Sequence, residues 1–325
     1  MKPRTSRTSF VNRFVVVTGI SRSCKQMLAP IVSSFDGAEH VTMNYLLEHL
    51  VETWKLGLIE DDVAANLLRF GVDNMCYNIS IGRNLNFRVS DYTGIWRSCR
   101  IWHNLRKIWS PEGDAAFAAI NRASPLYVMM AHNALWQAPL YFAAFPHMTM
   151  INVLRHPVDI VHSWYNKKYD GTFNSNPRNA TVTIDWEGQP LAYYTAGWEE
   201  RFLGLGHMDR IIHTIHHLER STMKQYDDLP EESRKRVKLV YVDRLLRNPE
   251  EDLDVLCEIL GTCRTTATKK VLMQERCPRN FENGRSAKLE LILAQASPEG
   301  RELLEAMIQE YEVRRFVSAR NHADR

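Results

Sequence analysis

The sequence predicts an α/β fold, a three-layer sandwich with a central parallel sheet and helices on both faces. Short apolar runs rich in β-branched residues recur along the chain: VVVT at 15–18, PLYVMM at 125–130, MTMINVL at 148–154 and VKLVYV at 237–242. A strand apolar on both sides is one buried between two layers. Segments of helical spacing separate these runs, and strands alternating with helices build parallel sheets. No linker rich in Pro, Gly or Ser and no internal repeat interrupts the 325 residues, so one domain spanning 1–325 is expected.

The elements follow in order. After the first strand, Met27, Leu28, Ile31, Val32 and Phe35 recur at helical spacing over 25–35, with Pro30 either in the first turn or kinking the helix. Residues 40–75 read as helical, with Leu46, Leu47, Leu50 and Val51 as apolar positions, and 76–110 as irregular and rich in aromatics and amides. Together, about 40–120 is expected to form a helical cap inserted within the domain. Helices are predicted at 134–142, 158–169 and 208–218. TVTIDWEGQPLAYY alternates about Glu187-Gly188, the pattern of a hairpin. Pro249, the acidic first turn Glu250, Glu251 and Asp252, and Gly261 frame a further helix.

Composition sets broad limits. Hydrophobic residues make up 45% and charged residues 24%, and the net charge of +3 is too small for a nucleic-acid coat, though it suits a local pocket for an anion. No apolar run is long enough to cross a bilayer, and the run FVVVT after the basic start is too short for a secretory signal. The six cysteines form no C-x-x-C pair, which gives no zinc-ligand spacing and makes a reduced, cytoplasmic setting the expectation.

Three stretches carry chemistry. In FVVVTGISRSCKQML, an apolar strand ends at Gly19 and a helix starts near Lys25. Backbone N–H groups at such a turn, with the positive end of the helix, bind phosphate, and Arg22 and Lys25 add charge. A Walker loop, Gly-x-x-x-x-Gly-Lys-Ser/Thr, would have a second glycine at Cys24 and a metal-binding hydroxyl at Gln26. The loop therefore points to a phosphate met by cations and amides without a metal. The plainer alternative is a strand-to-helix turn with two solvated cations. In VLRHPVDIVHSW, Arg155 ends a strand, and Ser163 lies about two turns into the following helix, where guanidinium and hydroxyl can grip a second phosphate. Here the plainer alternative is an Arg155–Asp159 surface pair. In VMMAHNA, His132 stands just past a buried strand, where a neutral imidazole can take a proton from a hydroxyl. The other eleven histidines, His213, His216 and His217 included, read as structural or solvated. Asp243, at the end of a strand, is either a Walker-B aspartate or a helix cap.

Together these stretches resemble the PAPS-dependent sulfotransferase family. Ser21-Arg22-Ser23-Cys24-Lys25-Gln26 stands where the family has its 5′-phosphosulfate loop, commonly Pro-Lys/Arg-Ser-Gly-Thr-Thr. Arg155, Pro157, Asp159 and Ser163 match its 3′-phosphate motif, Arg-x-Pro-x-Asp-x-x-x-Ser. His132 lies 23 residues before Arg155, at the distance of the family's catalytic histidine. YVDRLLRNPEEDLDVLCEILG is similar to its Tyr-x-Asp-Leu segment, and the run from Arg279 to Lys288 lies where a Gly-containing basic loop closes over the 3′-phosphate. Cys24, Gln26 and Met130 depart from the family pattern, standing where it has a glycine, a hydroxyl and often a lysine.

The resemblance implies in-line, metal-independent sulfuryl transfer from PAPS to a hydroxyl or amine of a small-molecule acceptor, with PAP as product. It casts His132 as base, with Arg22 and Lys25 stabilising the leaving charge. Ser21, Arg22, Ser23, Cys24, Lys25 and Gln26 would hold the 5′ end, and Arg155 and Ser163, with Gly284 and Arg285 as a weaker clamp, the 3′-phosphate. Tyr241 would meet the adenine. Asn84, Asn86, Asp91, Tyr92 and Trp96 would line the acceptor pocket, or else simply pack the cap. No metal, nucleic acid or membrane partner is expected, and a homodimer is left open. Two alternatives remain: a P-loop kinase using Lys25, Asp243 and Mg-ATP, and a catalytically weak protein that binds PAP or PAPS.

Overall fold

The structure, a computed structural model, describes residues 7–91, 93–98, 100–169, 181–280 and 284–323. Its strands are β1 (Phe14–Thr18), β2 (Tyr127–Met130), β3 (Thr149–Leu154), β4 (Thr183–Trp186), β5 (Gln189–Ala192) and β6 (Val237–Tyr241). Its α-helices are α1 (Lys25–Val32), α2 (Tyr45–Lys55), α3 (Asp61–Ser80), α4 (Ile101–Arg106), α5 (Gly113–Ala123), α6 (Ala138–Ala144), α7 (Pro157–Lys167), α8 (Glu199–Gly204), α9 (His207–Asp228), α10 (Glu231–Arg234), α11 (Val242–Arg247), α12 (Pro249–Leu260), α13 (Thr266–Gln274), α14 (Arg285–Gln295) and α15 (Pro298–Ala323).

The main sheet is parallel throughout, in the order β2-β1-β3-β6. β1 is wholly buried, and its side chains alternate between two cores. Phe14 and Val16 join Met129 and Met150 against α2, α3 and α6. Val15 and Val17 join Val128, Ile151 and Val240 against α1, α11, α12 and α13. Period-two alternation with apolar residues on both sides is what a strand between two helical layers requires. Each buried valine contributes about 1.5–3 kcal/mol. A third core joins α7, α9, α14 and α15.

The order of the strands positions the site. From β1 the chain moves outward to β2, then returns across β1 to β3. The connections leaving β1 and β3 therefore part at this switch point, and open α/β sheets bind ligands in the crevice left there.

Several elements differ from expectation. The first helix ends at Val32, not 35, and residues 34 and 35 close with i→i−3 bonds, Ser34 to Ile31 and Phe35 to Val32. Pro30 lies inside this helix and offers no N–H to Gln26. Within 40–75, residues 38–42 are extended along the outer edge of β2, bridging Ala38 to Leu126 and Thr42 to Met129. Leu47 and Val51 face the core as expected, whereas Leu46 is 76% exposed. Within the expected cap, α2 and α3 pack directly on the sheet. The β4–β5 hairpin turns at Glu187 and Gly188, both at positive φ, the backbone of a tight two-residue turn. Gly261 caps α12 with φ 58°. Among the described residues no helix is long and apolar enough to cross a membrane.

Candidate active site

β1 leaves the sheet through a loop at 19–24 that lies against the end of β3. Gly19 has φ 148°, and a Cβ there would sit 2.7 Å from the Val153 carbonyl oxygen and 2.5 Å from Ser23 Oγ. Only glycine allows so close an approach. Arg22 and Cys24 are also left-handed, with φ 68° and 75°. Cys24 is the N-cap of α1, yet no side chain caps this helix and no acidic residue occupies its first turn. Its first amides and the positive end of its dipole thus have no side-chain competitor for an anion.

Three hydrogen bonds tie the loop to β3 and α7. Arg155, at the end of β3, donates to the Arg22 carbonyl at 2.9 Å. Arg22 Nε donates to Ser163 Oγ at 3.1 Å, and Trp164 Nε1 donates to the Ser21 carbonyl at 2.9 Å. Pro157 opens α7, which carries Ser163, half-buried, and Trp164, buried, in its second and third turns. The two motifs read from the sequence therefore form one surface. Burial raises the Cys24 thiol pKa, while the guanidinium charges of Arg155, Arg279 and Arg22 act to lower it. Two arginines, Arg22 of the loop itself and Arg155 from the end of β3, are thus hydrogen-bonded at one surface. Gln26 is exposed beside them.

Lys25 is turned inward. Its ammonium donates to the Gly19 and Ile20 carbonyls at 3.2 Å each. Burial brings its pKa down to about 7, against the opposing pull of Glu48. It thus supplies part of a charge near neutrality, where a full one was expected.

His132 follows β2 on the same edge. The loop after it is fixed to β1: Asn133 N donates to the Gly19 carbonyl at 3.3 Å and Ala134 N to Thr18 Oγ1 at 2.8 Å. Glu48 of α2 accepts from the His132 backbone N–H at 3.1 Å and lies 2.8 Å from Nδ1. The second contact makes Nδ1 the protonated nitrogen and leaves Nε2 as the basic one. The His132 side chain keeps 25% of its surface exposed. Burial and the Lys25 charge hold its pKa below the ordinary histidine value, with Glu48 acting in the opposite sense. Lys25 thus links His132, through its charge, to the 19–24 loop, through its hydrogen bonds.

Glu48 was not found by sequence reasoning. On α2, Glu48 and Glu52 follow Leu47 and Val51 at the same four-residue interval, and all four are buried. Two carboxylates bordering an apolar stripe were the available signal. Glu52 accepts from Val182 N at 2.9 Å, and burial raises its pKa to about 8.

The remaining expected residues take the following positions. Tyr241 is buried edge-on against Tyr311 of α15 and lines a small cavity between α9 and α15. Gly284 caps α14 at φ 81°. Arg285 is held by Asp159 at 2.8 Å and Asp243 at 3.0 Å, with Lys288 also on Asp159. Asn84 and Asn86 line a cleft of about 260 Å³ between α3 and the 40–44 segment. Asp91 instead folds onto Thr93, accepting its N–H at 3.0 Å. Trp96, 49% exposed, donates to the Phe87 carbonyl at 2.7 Å. Tyr92 lies outside the described residues.

The fold and this edge define an α/β protein with a strand-to-helix loop held by two arginines and, beside it, a carboxylate-bound histidine. The sequence matches no protein-family model and no curated protein. Among solved structures the chain is similar in fold to sulfotransferases. One is the sulfotransferase domain of the Synechococcus PCC 7002 olefin synthase, 13% identical with a TM-score of 0.47 over 94% of this chain and 98% of that one. Another is the sulfotransferase domain of the curacin biosynthetic pathway, 10% identical with a TM-score of 0.47 over 94% and 99%. A third is mouse sulfotransferase SULT7A1 complexed with PAP, 9% identical with a TM-score of 0.35 over 92% and 84%.

Proposed function

We propose that the protein transfers a sulfuryl group from PAPS to a hydroxyl or amine of a small-molecule acceptor. The observation that carries this is the joining of Arg22 to Ser163 and of Arg155 to the Arg22 carbonyl, with the Lys25 ammonium on the Gly19 and Ile20 carbonyls of the same loop. Two phosphates of one nucleotide fit such a surface. The 5′ end lies on the amides of 19–26, and the 3′-phosphate lies by Arg155 and Ser163. In the reaction the acceptor oxygen or nitrogen bonds to sulfur as the bond from sulfur to the 5′-phosphate oxygen breaks. The acceptor proton passes to His132 Nε2, and PAP leaves with the bonding pair. Glu48 holds the imidazole in place and stabilises its protonated form. Arg22 and the protonated fraction of Lys25 stabilise the charge on the leaving phosphate. PAPS supplies the sulfuryl group, and the chain supplies position and charge.

Two features bear on the alternatives. Asp243, the Walker-B candidate, is paired with Arg285, which disfavours a magnesium-nucleotide kinase. The left-handed Cys24 favours, as second reading, a weak enzyme that still binds PAP. Thermal melts with PAP, AMP and ATP, each with and without Mg²⁺, test the site, because a ligand bound to the native state raises the melting temperature. Stabilisation by PAP without metal, and less by AMP, is expected. Stabilisation by Mg-ATP alone would overturn the proposal. Mass detection of sulfated acceptors then separates an enzyme from a binder.

A further inference from the structure

The cleft lined by Asn84 and Asn86 has an unusual chemistry. Five of its thirteen lining residues are asparagines: Asn44, Asn74, Asn78, Asn84 and Asn86. Among the described residues no carboxylate lines it, and the one arginine or lysine that does, Arg83, is engaged by Glu112 at 2.6 Å. Ligand pockets are ordinarily lined mostly by apolar and aromatic side chains, with a few polar groups. An array of neutral amides offers donors and acceptors in nearly equal number.

The amides are partly committed in ways that leave defined valences. Asn44 uses its side-chain oxygen to cap α2, accepting from Leu46 N at 3.0 Å and Leu47 N at 3.3 Å, so its NH₂ is the group left for a ligand. Asn78 donates to Asn74 Oδ1 at 2.8 Å. Its own Oδ1 has no protein partner, although the residue is only 7% exposed. A buried carbonyl of this kind is costly until a donor reaches it. Asn84 holds φ 62°, and Asn86 is engaged at both ends, donating to Thr93 Oγ1 at 2.8 Å and accepting from Arg88 N at 3.0 Å. Met75 and Ile79 supply an apolar wall.

The cleft borders the strand that leads to the histidine. Thr42, which lines it, accepts from Met130 N at 2.8 Å, two residues before His132. Asn44 lies four residues before Glu48, about 6 Å along α2.

We infer that this cleft binds a neutral polyhydroxylated acceptor, a sugar or cyclitol, whose neighbouring hydroxyls pair with the amides while its C–H face lies on Met75 and Ile79. Each hydroxyl both donates and accepts, which matches the mixed amides, whereas a phenol or long-chain alcohol has at most one hydroxyl and could not serve both Asn78 Oδ1 and the Asn44 NH₂. The inference rests on the sulfotransferase reading for the word acceptor but not for the binding itself.

Saturation-transfer NMR on the full chain with PAP present tests it, using maltose and myo-inositol against 2-naphthol and 1-dodecanol. The expected result is transfer to a polyol, weakened about tenfold or more in Asn78→Leu and in Asn84→Gly. The second variant removes an exposed side chain at positive φ and so spares the fold. Failure of both polyols to bind at any attainable concentration would overturn the inference. So would 2-naphthol or 1-dodecanol binding in preference, or polyol binding unchanged in both variants. Binding of a polyol by a protein that PAP does not stabilise would leave the cleft standing and sink the sulfotransferase reading.

Discussion

Glu48 Oε2 makes two contacts with His132, to the backbone N–H at 3.1 Å and to Nδ1 at 2.8 Å. One carboxylate thus sets both the position of the ring and its tautomer, although the two residues are 84 positions apart. His132→Ala is expected to lower kcat by a factor on the order of 10²–10⁴, the usual contribution of a positioned base, with PAP binding retained. Glu48→Gln should cost about a hundredfold, because an amide supports the wrong tautomer. Wild-type-like turnover in His132→Ala would rule out the base role.

The pH profile distinguishes position from simple structure. Burial and Lys25 keep the His132 pKa below 6.5, so the imidazole is neutral at pH 7 and the acid limb of kcat/KM should fall below pH 6.5. Glu48 raises this pKa, so the limb should move further down in Glu48→Gln. A limb unmoved by that substitution would mean that another group titrates.

Arg22 and Ser163 join the two phosphate motifs through a 3.1 Å hydrogen bond, and Arg155 braces the same loop. Arg155→Ala should abolish the difference between PAP and AMP in thermal melts, since losing a charged phosphate contact costs about 2–5 kcal/mol. Ser163→Ala should have a smaller effect of about 1 kcal/mol. Equal stabilisation of wild type by PAP and AMP would place no 3′-phosphate at this site.

Cys24 holds φ 75°, a conformation that costs a side-chain-bearing residue about 1–2 kcal/mol and glycine nothing. Cys24→Gly should therefore raise the melting temperature modestly or leave it unchanged, and should improve PAP affinity by letting the backbone approach. Gly19→Ala should prevent folding of the loop, because its Cβ would meet the Val153 carbonyl at 2.7 Å. Weaker PAP binding in Cys24→Gly would show that the thiol itself serves the site.

Glu52 is held neutral to about pH 8 in the fold, against 4.5 unfolded. Its burial costs nothing below pH 4.5, and the cost grows as pH rises towards 8, because the unfolded chain ionises first. Glu52→Gln should thus gain stability over wild type across that window, on the order of a few kcal/mol at its top, while its amide oxygen still accepts from Val182. Lys25, lowered from 10.5 to about 7, acts in the opposite direction: its penalty is full below pH 7 and lifts as pH climbs to 10.5. Urea midpoints at pH 5 and pH 8 for wild type and Glu52→Gln would check this. An identical shift at both pH values would exclude titration of Glu52.

How much was legible can be judged residue by residue. The strands at 15–18, 148–154 and 237–242 were readable because burial on both faces leaves a continuous apolar run, and periodicity is a local property. Gly19, and the spacing of Arg155 and Ser163, were readable for the same reason: a strand, a turn and a helix fix where those groups stand relative to one another. The partner of His132 was not, since Glu48 reaches it only when α2 packs on the sheet. The arginines divide similarly. Arg22 and Arg155 share the loop, but Arg285 is taken by Asp159 and Asp243, and no spacing foretells which cation a buried carboxylate will capture. Tyr241 ends its strand as expected, yet α15 covers its ring. By itself, then, the sequence determined the parallel sheet, the strand-to-helix turn at Gly19 and the position of the histidine, because each follows from neighbours within a few turns of chain. Only the tertiary structure decided which charges remain at the loop, what orients the base and where five asparagines form a cleft, because those depend on contacts closed across the whole fold.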